Sequence, residues 1–422
     1  MDYRESLDYI NSSAWFGAKP GLARMKALLN ALGNPERAFR SVHIAGTNGK
    51  GSCAAMTASV LKAAGYRTGL FTSPYLHRFN ERMQINGKEI DDAALTEVAT
   101  AVMDAAEKAV EHPTAFEMMT ACAFLWFASG NCDIAVLETG LGGRYDATNC
   151  IPNPDVCVIM NIGLDHTQIL GESITEIAAE KAGILKHGCD CVLYQQSREA
   201  EAVIEEACRR TGSTLHRTDF SRIETEFDSL DGQVFSYRGE QYAIPLPGTY
   251  QLRNASAAIE AVAVLREKGW KISREALEHG LYAVSWPARF EVLSDDPYFI
   301  LDGGHNPQCA ETLAANLLHY FPSQKRILLA GVMKDKDYAS IFSILRSAAD
   351  EICCVTPDSP RALPAEELAA FLKATGWTAT ACPSVSEGVS SVMDRAKETG
   401  GCACACGSLY LAGPIRELFG CY

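Results

Sequence analysis

The sequence predicts an α/β protein with two domains, each built around a mostly parallel sheet. Short apolar runs alternate with helical stretches throughout the chain, which is the pattern of parallel strands joined by helices. With 422 residues the chain exceeds the usual size of a single hydrophobic core. A proline-containing turn at residues 284–289 separates two series of such runs. We therefore expect one domain at residues 1–286 and a second at residues 287–422.

The first domain is expected to contain a larger sheet with additional hairpins. Its candidate strands are residues 42–45, 68–71, 134–137, 156–161 and 191–194. Between residues 223 and 244, alternating segments separated by glycine-containing turns predict β-hairpins appended to the sheet. A helix is expected over residues 250–268, because Gly269 supplies a helix stop.

The second domain repeats the α/β pattern on a smaller scale. Its candidate strands are residues 299–302, 327–330, 352–355 and 401–406. The last of these carries Cys402, Cys404 and Cys406 on one face. A buried core strand is the favoured interpretation, because free cysteine behaves as a small hydrophobe, and a soft-metal site is the alternative.

Composition limits the classes of partner. The formal net charge of -14 argues against a nucleic-acid ligand, which clustered Lys and Arg would bind. No apolar run reaches membrane-spanning length, and the N-terminus lacks the apolar core of a signal peptide. The sixteen cysteines are scattered without a CxxC pair, which suggests free thiols. We expect a cytoplasmic monomer with no membrane partner.

A glycine-rich turn follows the first candidate strand, in the stretch Ser41-Val-His-Ile-Ala-Gly-Thr-Asn-Gly-Lys-Gly-Ser52. Glycines let main-chain N–H groups approach an anion, Lys50 supplies a positive charge, and the Ser52 hydroxyl can hold Mg²⁺. An alanine-rich helical stretch over residues 53–64 places the turn at a helix N-terminus. The turn predicts a P-loop-type domain that binds a nucleoside triphosphate, with an ordinary strand-to-helix turn as the alternative.

Polar residues at the ends of three further strands fit a metal–phosphate site. Ser73, Glu138 and His166 follow candidate strands, and ligands in open parallel sheets gather at the carboxyl ends of strands. With Ser52 they are candidate ligands of Mg²⁺. Ser73 can alternatively start a turn before a proline, and His166 can cap a helix. Glu138 is the strongest candidate, because a carboxylate buried at a strand end needs a positive counter-charge.

Four residues further along the chain add to this constellation. Lys181 lies in a small-residue helical stretch, where it can pair with Glu180 or take up CO₂ as a carbamate; the residues alone favour neither. Asp302 and His305 follow a strand at a glycine turn and are placed for ribose hydroxyls and phosphate. Arg289 is expected to reach a γ-phosphate, although an ion pair with Asp302 is the alternative.

Taken in chain order, these motifs resemble those of the folylpolyglutamate and dihydrofolate synthases in the Mur-ligase superfamily. The resemblance covers nearly the whole chain. The segments that carry it are Gly46-Thr-Asn-Gly-Lys-Gly-Ser52, Thr72-Ser-Pro-Tyr-Leu76, Asn80-Glu-Arg-Met-Gln-Ile-Asn-Gly87, Glu138-Thr-Gly-Leu-Gly-Gly-Arg144, Asn161-Ile-Gly-Leu-Asp-His166, Glu180-Lys-Ala-Gly-Ile184 and Asp302-Gly-Gly-His-Asn-Pro307. Gly304 and Ala288 depart from it, where we associate alanine and glycine with the family.

The resemblance implies roles for particular residues. The implied ATP-binding residues are Thr47, Asn48, Gly49, Lys50, Gly51, Ser52, Asn254, Arg289, Asp302 and His305. It further implies two magnesium ions held by Ser52, Ser73, Glu138 and His166, and a carbamylated Lys181, with Lys50, Lys181, Arg289 and His305 catalytic. The implied contacts to the folate or pterin substrate are Arg82, Thr114, Phe116, Glu117, Tyr145, Asp146 and Ala147. The second domain is implied to be Rossmann-like.

The function implied is an ATP-dependent ligase that adds L-glutamate to folates and to dihydropteroate. Joining a carboxylate to an amine in water requires activation, and transfer of the γ-phosphoryl group to the carboxylate would supply it. Two alternatives remain at this point. One is a cell-wall amino-acid ligase of the same superfamily, and the other is a P-loop regulatory NTPase that releases phosphate without making an amide.

Overall fold

The structure is a computed structural model that describes residues 2–12 and 21–421. Within these residues the chain forms two compact units. One unit takes the residues up to 224 together with 235–243 and 252–284, and the other takes 225–234, 244–251 and the residues from 285 onward. No helix in the described ranges is long and apolar enough to cross a membrane.

The first unit contains an eight-stranded sheet. Its strands are β1 (Arg40–Ala45), β2 (Thr68–Phe71), β3 (Met83–Ile85), β4 (Lys88–Glu89), β5 (Ile134–Glu138), β6 (Val156–Ile159), β7 (Asp190–Leu193) and β8 (Thr214–Arg217). They lie in the order β4-β3-β2-β5-β1-β6-β7-β8. Strand β1 pairs in parallel with β5 on one side and β6 on the other, so the loops after all three strands meet at one edge of the sheet.

Helices connect these strands, and several of them begin at polar capping residues. Before the second sheet they are α1 (Tyr3–Ser12), α2 (Ala23–Ala31), α3 (Lys50–Ala63), α4 (Asp92–Ala106), α5 (Ala115–Ser129), α6 (Thr167–Leu170), α7 (Ile174–Ala182) and α8 (Arg198–Thr211). The side chains of Asp91, Thr114, Ser173 and Ser197 accept hydrogen bonds from the first turns of α4, α5, α7 and α8. Helix α3 is mostly buried, which explains its alanine-rich sequence.

Three further strands and then two helices follow. They are β9 (Ile223–Ser229), β10 (Gly232–Tyr237), β11 (Glu240–Ile244), α9 (Thr249–Glu267) and α10 (Arg274–Tyr282). The strands form a separate three-stranded sheet in the order β11-β10-β9. The predicted alternating segments are therefore strands, and they form a sheet of their own.

The second unit contains a six-stranded sheet with helices between its strands. The elements are β12 (Glu291–Asp295), β13 (Tyr298–Leu301), α11 (Pro307–Tyr320), β14 (Arg326–Ala330), α12 (Tyr338–Leu345), β15 (Glu351–Cys354), α13 (Ala365–Ala374), β16 (Thr378–Ala381), α14 (Val385–Thr399), β17 (Cys402–Cys406) and α15 (Ala412–Leu418). The strand order is β12-β13-β17-β14-β15-β16. All of β17 is buried, and Cys402, Cys404 and Cys406 pack in the hydrophobic core, which confirms the interpretation of a core strand.

Candidate active site

The glycine turn between β1 and α3 is held by the loop that follows β6. The backbone N–H of Thr47 donates to the Asn161 carbonyl at 2.7 Å, and the Thr47 hydroxyl bonds both the carbonyl and the N–H of Gly163 at 3.0 Å. These bonds occupy the threonine side chain and leave the following residues to approach a ligand. Gly49 is the N-cap residue of α3 at φ 82°, so the backbone turns there into the helix.

Two of the glycines in this turn are closely covered by other residues. A Cβ at Gly46 would lie 2.6 Å from the Cβ of Met160, and a Cβ at Gly49 would lie 2.6 Å from Oδ1 of Asn254. Asn254 lies on α9 and is buried. The structure thus places Asn254 directly against the glycine turn, which is where the sequence predicted a residue of the nucleotide site.

Lys50 and Glu138 face each other at the edge of the sheet. The Lys50 Nζ atom lies 3.9 Å from Oε1 of Glu138 and donates to the Thr47 carbonyl at 3.2 Å. The other carboxylate oxygen of Glu138 accepts a hydrogen bond from the Ser73 backbone N–H at 3.1 Å. Glu138 is only 4% exposed, so the charge of Lys50 offsets the cost of burying this carboxylate. The structure therefore brings together Lys50, Glu138 and the segment after β2.

The residues predicted to bind magnesium provide mainly oxygen. Ser52 is buried in the first turn of α3, Ser73 is half-buried, and Glu138 supplies a carboxylate. The His166 side chain is 40% exposed, and His166 occupies the N-cap position of α6 with a left-handed φ of 50° and no side-chain capping bond. Among the described residues no group of three or more His, Cys, Asp and Glu is arranged for a metal. A hard cation here would draw on hydroxyls, Glu138 and a ligand's phosphate oxygens, a donor set that suits Mg²⁺.

Lys181 is buried on α7 and does not pair with its neighbour in sequence. The neighbouring Glu180 lies 3.4 Å from Nε of Arg144, whereas Lys181 is only 2% exposed. Burial, with a further contribution from the charge of Lys50, lowers the pKa of Lys181 to about 7, and Asp165 and Asp146 oppose this. The amine of Lys181 therefore loses its proton more readily than that of an exposed lysine.

The loop after β5 packs on Lys181 and is organised by Asp146. The Asp146 carboxylate accepts hydrogen bonds from the Leu141 N–H at 2.9 Å and from the Thr148 N–H at 3.0 Å. Burial raises the pKa of Asp146, and these bonds oppose the increase. A Cβ at Gly143 would lie 3.0 Å from the Lys181 Cα, so the loop passes very close to the helix. Of the predicted substrate residues here, Tyr145 is exposed while Asp146 and Ala147 are buried.

The predicted substrate residues on α5 also have structural contacts. Thr114 and Glu117 form a reciprocal capping box at the N-terminus of α5. The Glu117 carboxylate further accepts two hydrogen bonds from Arg24, each at 3.2 Å. The Phe116 ring lies against Gly140, where a Cβ would be 2.4 Å from it. These contacts fix the N-terminus of α5 beside the loop after β5.

Arg82, the remaining predicted substrate residue, is buried beside two aromatic rings. Its guanidinium carbon lies 4.9 Å from the centre of the Tyr75 ring and 5.7 Å from that of Phe79. Stacking on aromatic rings stabilises the cation in a position where water is scarce. The Arg82 side chain is therefore already oriented to bind an anionic ligand.

In the second unit, Asp302 orders the backbone around Arg289. Its two carboxylate oxygens accept hydrogen bonds from the Phe290 N–H at 3.0 Å and the Gly304 N–H at 2.8 Å. Burial raises the pKa of Asp302, and the charge of Arg289 opposes the increase. Arg289 Nη1 donates to the Ala288 carbonyl at 2.9 Å, and His305 Nδ1 donates to the Gly303 carbonyl at 3.1 Å. These three predicted residues therefore share one small cluster.

Tyr250 belongs to the same cluster and has no role in the sequence-based prediction. Its hydroxyl is buried, and the described residues offer it no hydrogen-bond partner. Burial raises the pKa of Tyr250 well above its usual value, the charge of Asp302 adds to this, and Arg289 opposes it. A buried hydroxyl without a hydrogen-bond partner lowers the stability of the fold, which suggests that a bound ligand supplies the partner. The only signal in the sequence is its position at the start of the helix that carries Asn254.

Comparison with known proteins places the chain among ligases. The Mur ligase middle domain matches residues 44–262, and the Mur ligase glutamate ligase domain matches residues 288–409. The dihydrofolate synthase/folylpolyglutamate synthase of Bacillus subtilis is 37% identical over 429 residues, covering 98% of this chain and 98% of that protein. The folylpolyglutamate synthase (FPGS) of Mycobacterium tuberculosis complexed with ADP and AMPPCP has a TM-score of 0.90 at 32% identity, covering 99% of each chain. An FPGS–AMPPCP–folate complex has a TM-score of 0.86 at 34% identity, again covering 99% of each chain.

Proposed function

Because this chain belongs to the folylpolyglutamate and dihydrofolate synthase family of Mur ligases, we propose that its glycine turn and Lys50 bind the triphosphate of ATP for glutamate ligation. The enzyme is an ATP-dependent ligase that joins L-glutamate to a folate. We propose that dihydropteroate is a second acceptor, since the Bacillus subtilis relative is named for both activities. The observation that carries the site assignment is the pairing of the half-buried Lys50 with the buried Glu138 at the N-terminus of α3.

In the reaction, a carboxylate oxygen of the acceptor attacks the γ-phosphorus of ATP and ADP leaves. The product is an acyl phosphate, whose carbonyl carbon is then attacked by the amino group of L-glutamate, so that phosphate leaves and an amide forms. Lys50 stabilises the charge that spreads over the transferring oxygens. We propose that magnesium, which would neutralise phosphate charge, is held by Ser52, Ser73, Glu138 and His166.

Thr47, Asn48, Gly49, Gly51 and Asn254 of the first unit are also proposed to bind ATP, and so are Arg289, Asp302 and His305 of the second. Asn254 is proposed to contact the base, which its position against Gly49 supports. Arg289 is proposed to bind phosphate, since its fork of N–H donors suits that geometry. We propose that the folate or pterin substrate contacts Arg82, Thr114, Phe116, Glu117, Tyr145, Asp146 and Ala147. The position of the loop after β5 beside Lys181 supports this proposal.

Lys181 is proposed to carry a carbamate. Its burial and its lowered pKa favour the neutral amine that reacts with CO₂, and a carbamate would convert the site from cationic to anionic. Protein in ¹³C-bicarbonate should give a carbamate carbon resonance that Lys181→Met lacks. Identical spectra for the two proteins would overturn this assignment.

We also propose that the chain has domains at residues 1–286 and 287–422, that it is cytoplasmic and that it is a monomer. The gap between the two matched family segments, at residues 263–287, supports the boundary. The sixteen free thiols are typical of a reducing compartment. Light scattering of the purified protein measures its oligomeric state.

The decisive experiment incubates the protein with ATP, Mg²⁺, L-glutamate and either tetrahydrofolate or dihydropteroate, and detects the glutamylated product by mass. Lys50→Ala should abolish product formation, whereas Lys62→Ala, an exposed lysine in the last turn of the same helix, should not. Phosphate release without any amide would indicate a regulatory NTPase. Product from a cell-wall amino-acid acceptor alone would indicate the other branch of the superfamily.

A further inference from the structure

Two cysteine sulfurs lie almost in contact in the second unit, far in sequence from the proposed ATP residues. Cys353 is in β15, and Cys382 directly follows β16. Their Sγ atoms are 2.9 Å apart. The two strands are parallel neighbours with Cys353 opposite Thr380, so Cys382 comes two residues later and faces the same side of the sheet.

The backbone around the pair is already fixed by the sheet. Cys354 pairs with Ala381, and the Cys382 N–H donates to the Cys354 carbonyl at 2.9 Å. The strand pairing already holds the two sulfurs close together before any bond forms between them. This distinguishes the pair from cysteines that would have to pull two segments together.

The two sulfurs differ in their access to solvent. Strand β16 is the edge strand of its sheet, and Cys382 at its end is partly exposed, whereas Cys353 is only 3% exposed. Burial raises the pKa of the Cys353 thiol. By contrast, Cys157 and Cys189 in the first unit lie 3.8 Å apart, but both are fully buried. An oxidant in solution can therefore reach Cys382, whereas Cys157 and Cys189 are shielded from it.

We propose that Cys353 and Cys382 are a peroxide-oxidisable dithiol that closes reversibly into a disulfide at the edge of this sheet. The Cys382 thiolate attacks hydrogen peroxide, the O–O bond breaks, and water and a sulfenic acid form. The Cys353 sulfur then attacks the Cys382 sulfur, the S–O bond breaks, and the hydroxyl leaves with the thiol proton as a second water. Two thiols are oxidised and one peroxide is reduced. A thiol such as dithiothreitol reverses the disulfide, so Cys382 is protected from irreversible oxidation.

The test treats the full-length protein with hydrogen peroxide, alkylates the remaining thiols and maps the digested peptides without reduction. The parent should give a peptide pair linked through Cys353 and Cys382 that dithiothreitol releases. Cys353→Ser and Cys382→Ser should both lack it, and Cys421→Ser, a matched change at another partly exposed cysteine, should retain it. In Cys353→Ser, Cys382 should instead accumulate as sulfinic acid. Ligase activity without peroxide should equal the parent's in Cys382→Ser.

Two results would overturn the proposal. One is a parent protein without the linked peptide whose Cys382 becomes sulfinic acid as readily as in Cys353→Ser. The other is a linked peptide that survives in Cys382→Ser, which would assign the disulfide to other cysteines. If Cys353→Ser does not fold, Cys382→Ser still decides the question, because its side chain is at the sheet edge.

Discussion

Replacing Gly49 with alanine tests how the glycine turn is held. Gly49 has φ 82°, where an alanine costs about 1–2 kcal/mol because its Cβ crowds the backbone. The same Cβ would lie 2.6 Å from Oδ1 of Asn254, an overlap that typically costs a further ~1–3 kcal/mol. We therefore expect Gly49→Ala to lower the free energy of unfolding by about 2–5 kcal/mol, the sum of these two terms.

The chain provides a matched control at the other end of the same helix. Gly65 follows α3 at φ 88° and has no atom within 4 Å of an added Cβ. Gly65→Ala should therefore cost only the backbone part, about 1–2 kcal/mol. Combining Gly49→Ala with Asn254→Ala should destabilise less than the sum of the single changes, because the double variant removes the overlap.

Urea unfolding of the parent, the three single variants and the double variant measures these costs, provided that the slope with urea is unchanged. Gly49→Ala should also weaken ATP binding, because the glycine turn would have to move. The reasoning would be refuted if Gly49→Ala cost no more than Gly65→Ala, or if removing the Asn254 side chain left the excess cost unchanged.

Three further predictions concern single groups. Lys181 binds its proton less tightly in the folded chain, with a pKa of about 7 against the usual 10.5. The parent's free energy of unfolding should therefore rise as the pH increases between these two values. Urea unfolding at several pH values in CO₂-free buffer measures this rise, which Lys181→Met should lack. Ala288 has φ 57° but is fully buried, so the strain of about 1–2 kcal/mol that Ala288→Gly relieves is offset by about 0.8 kcal/mol of lost methyl burial and about 0.5–1 kcal/mol of backbone entropy. The melting temperature should therefore stay close to the parent's, and a large shift in either direction would contradict this. Tyr250→Phe should leave the unliganded protein at least as stable as the parent, because it removes a buried hydroxyl without a partner. It should weaken the binding of an ATP analogue, measured by titration calorimetry. Equal affinity would show that the hydroxyl does not contact the ligand.

The sequence predicted the parallel strands well because each combines a short apolar run with flanking glycine or polar residues. Strand β2 has the predicted ends, and β1 and β5 differ by one or two residues. Strands β3, β4, β8, β12 and β16 were not predicted. They are edge strands or their neighbours, and strands exposed to water lack the continuous apolar run that signals a buried one.

The positions of polar residues at strand ends could be predicted from the sequence, whereas contacts between distant segments could not, and the roles of these residues stay a prediction. Glu138 was identified because a carboxylate closes an apolar strand, and its pairing with Lys50 agrees with that reasoning. The capping box of Thr114 and Glu117 fits a local pattern that the sequence contains, yet the Arg24 pairing with Glu117 depends on tertiary packing. The buried hydroxyl of Tyr250 similarly depends on which side chains surround it.

The central position of β1 has a consequence for synthesis on the ribosome. Residues 40–45 emerge early, but their two neighbours in the sheet are residues 134–138 and 156–159, and Asn254 comes later still. The nascent strand at residues 40–45 must therefore remain without one partner until residue 138 is translated and without the other until residue 159. Slow translation before residue 160 would lengthen the exposure of this apolar strand to chaperones and to aggregation.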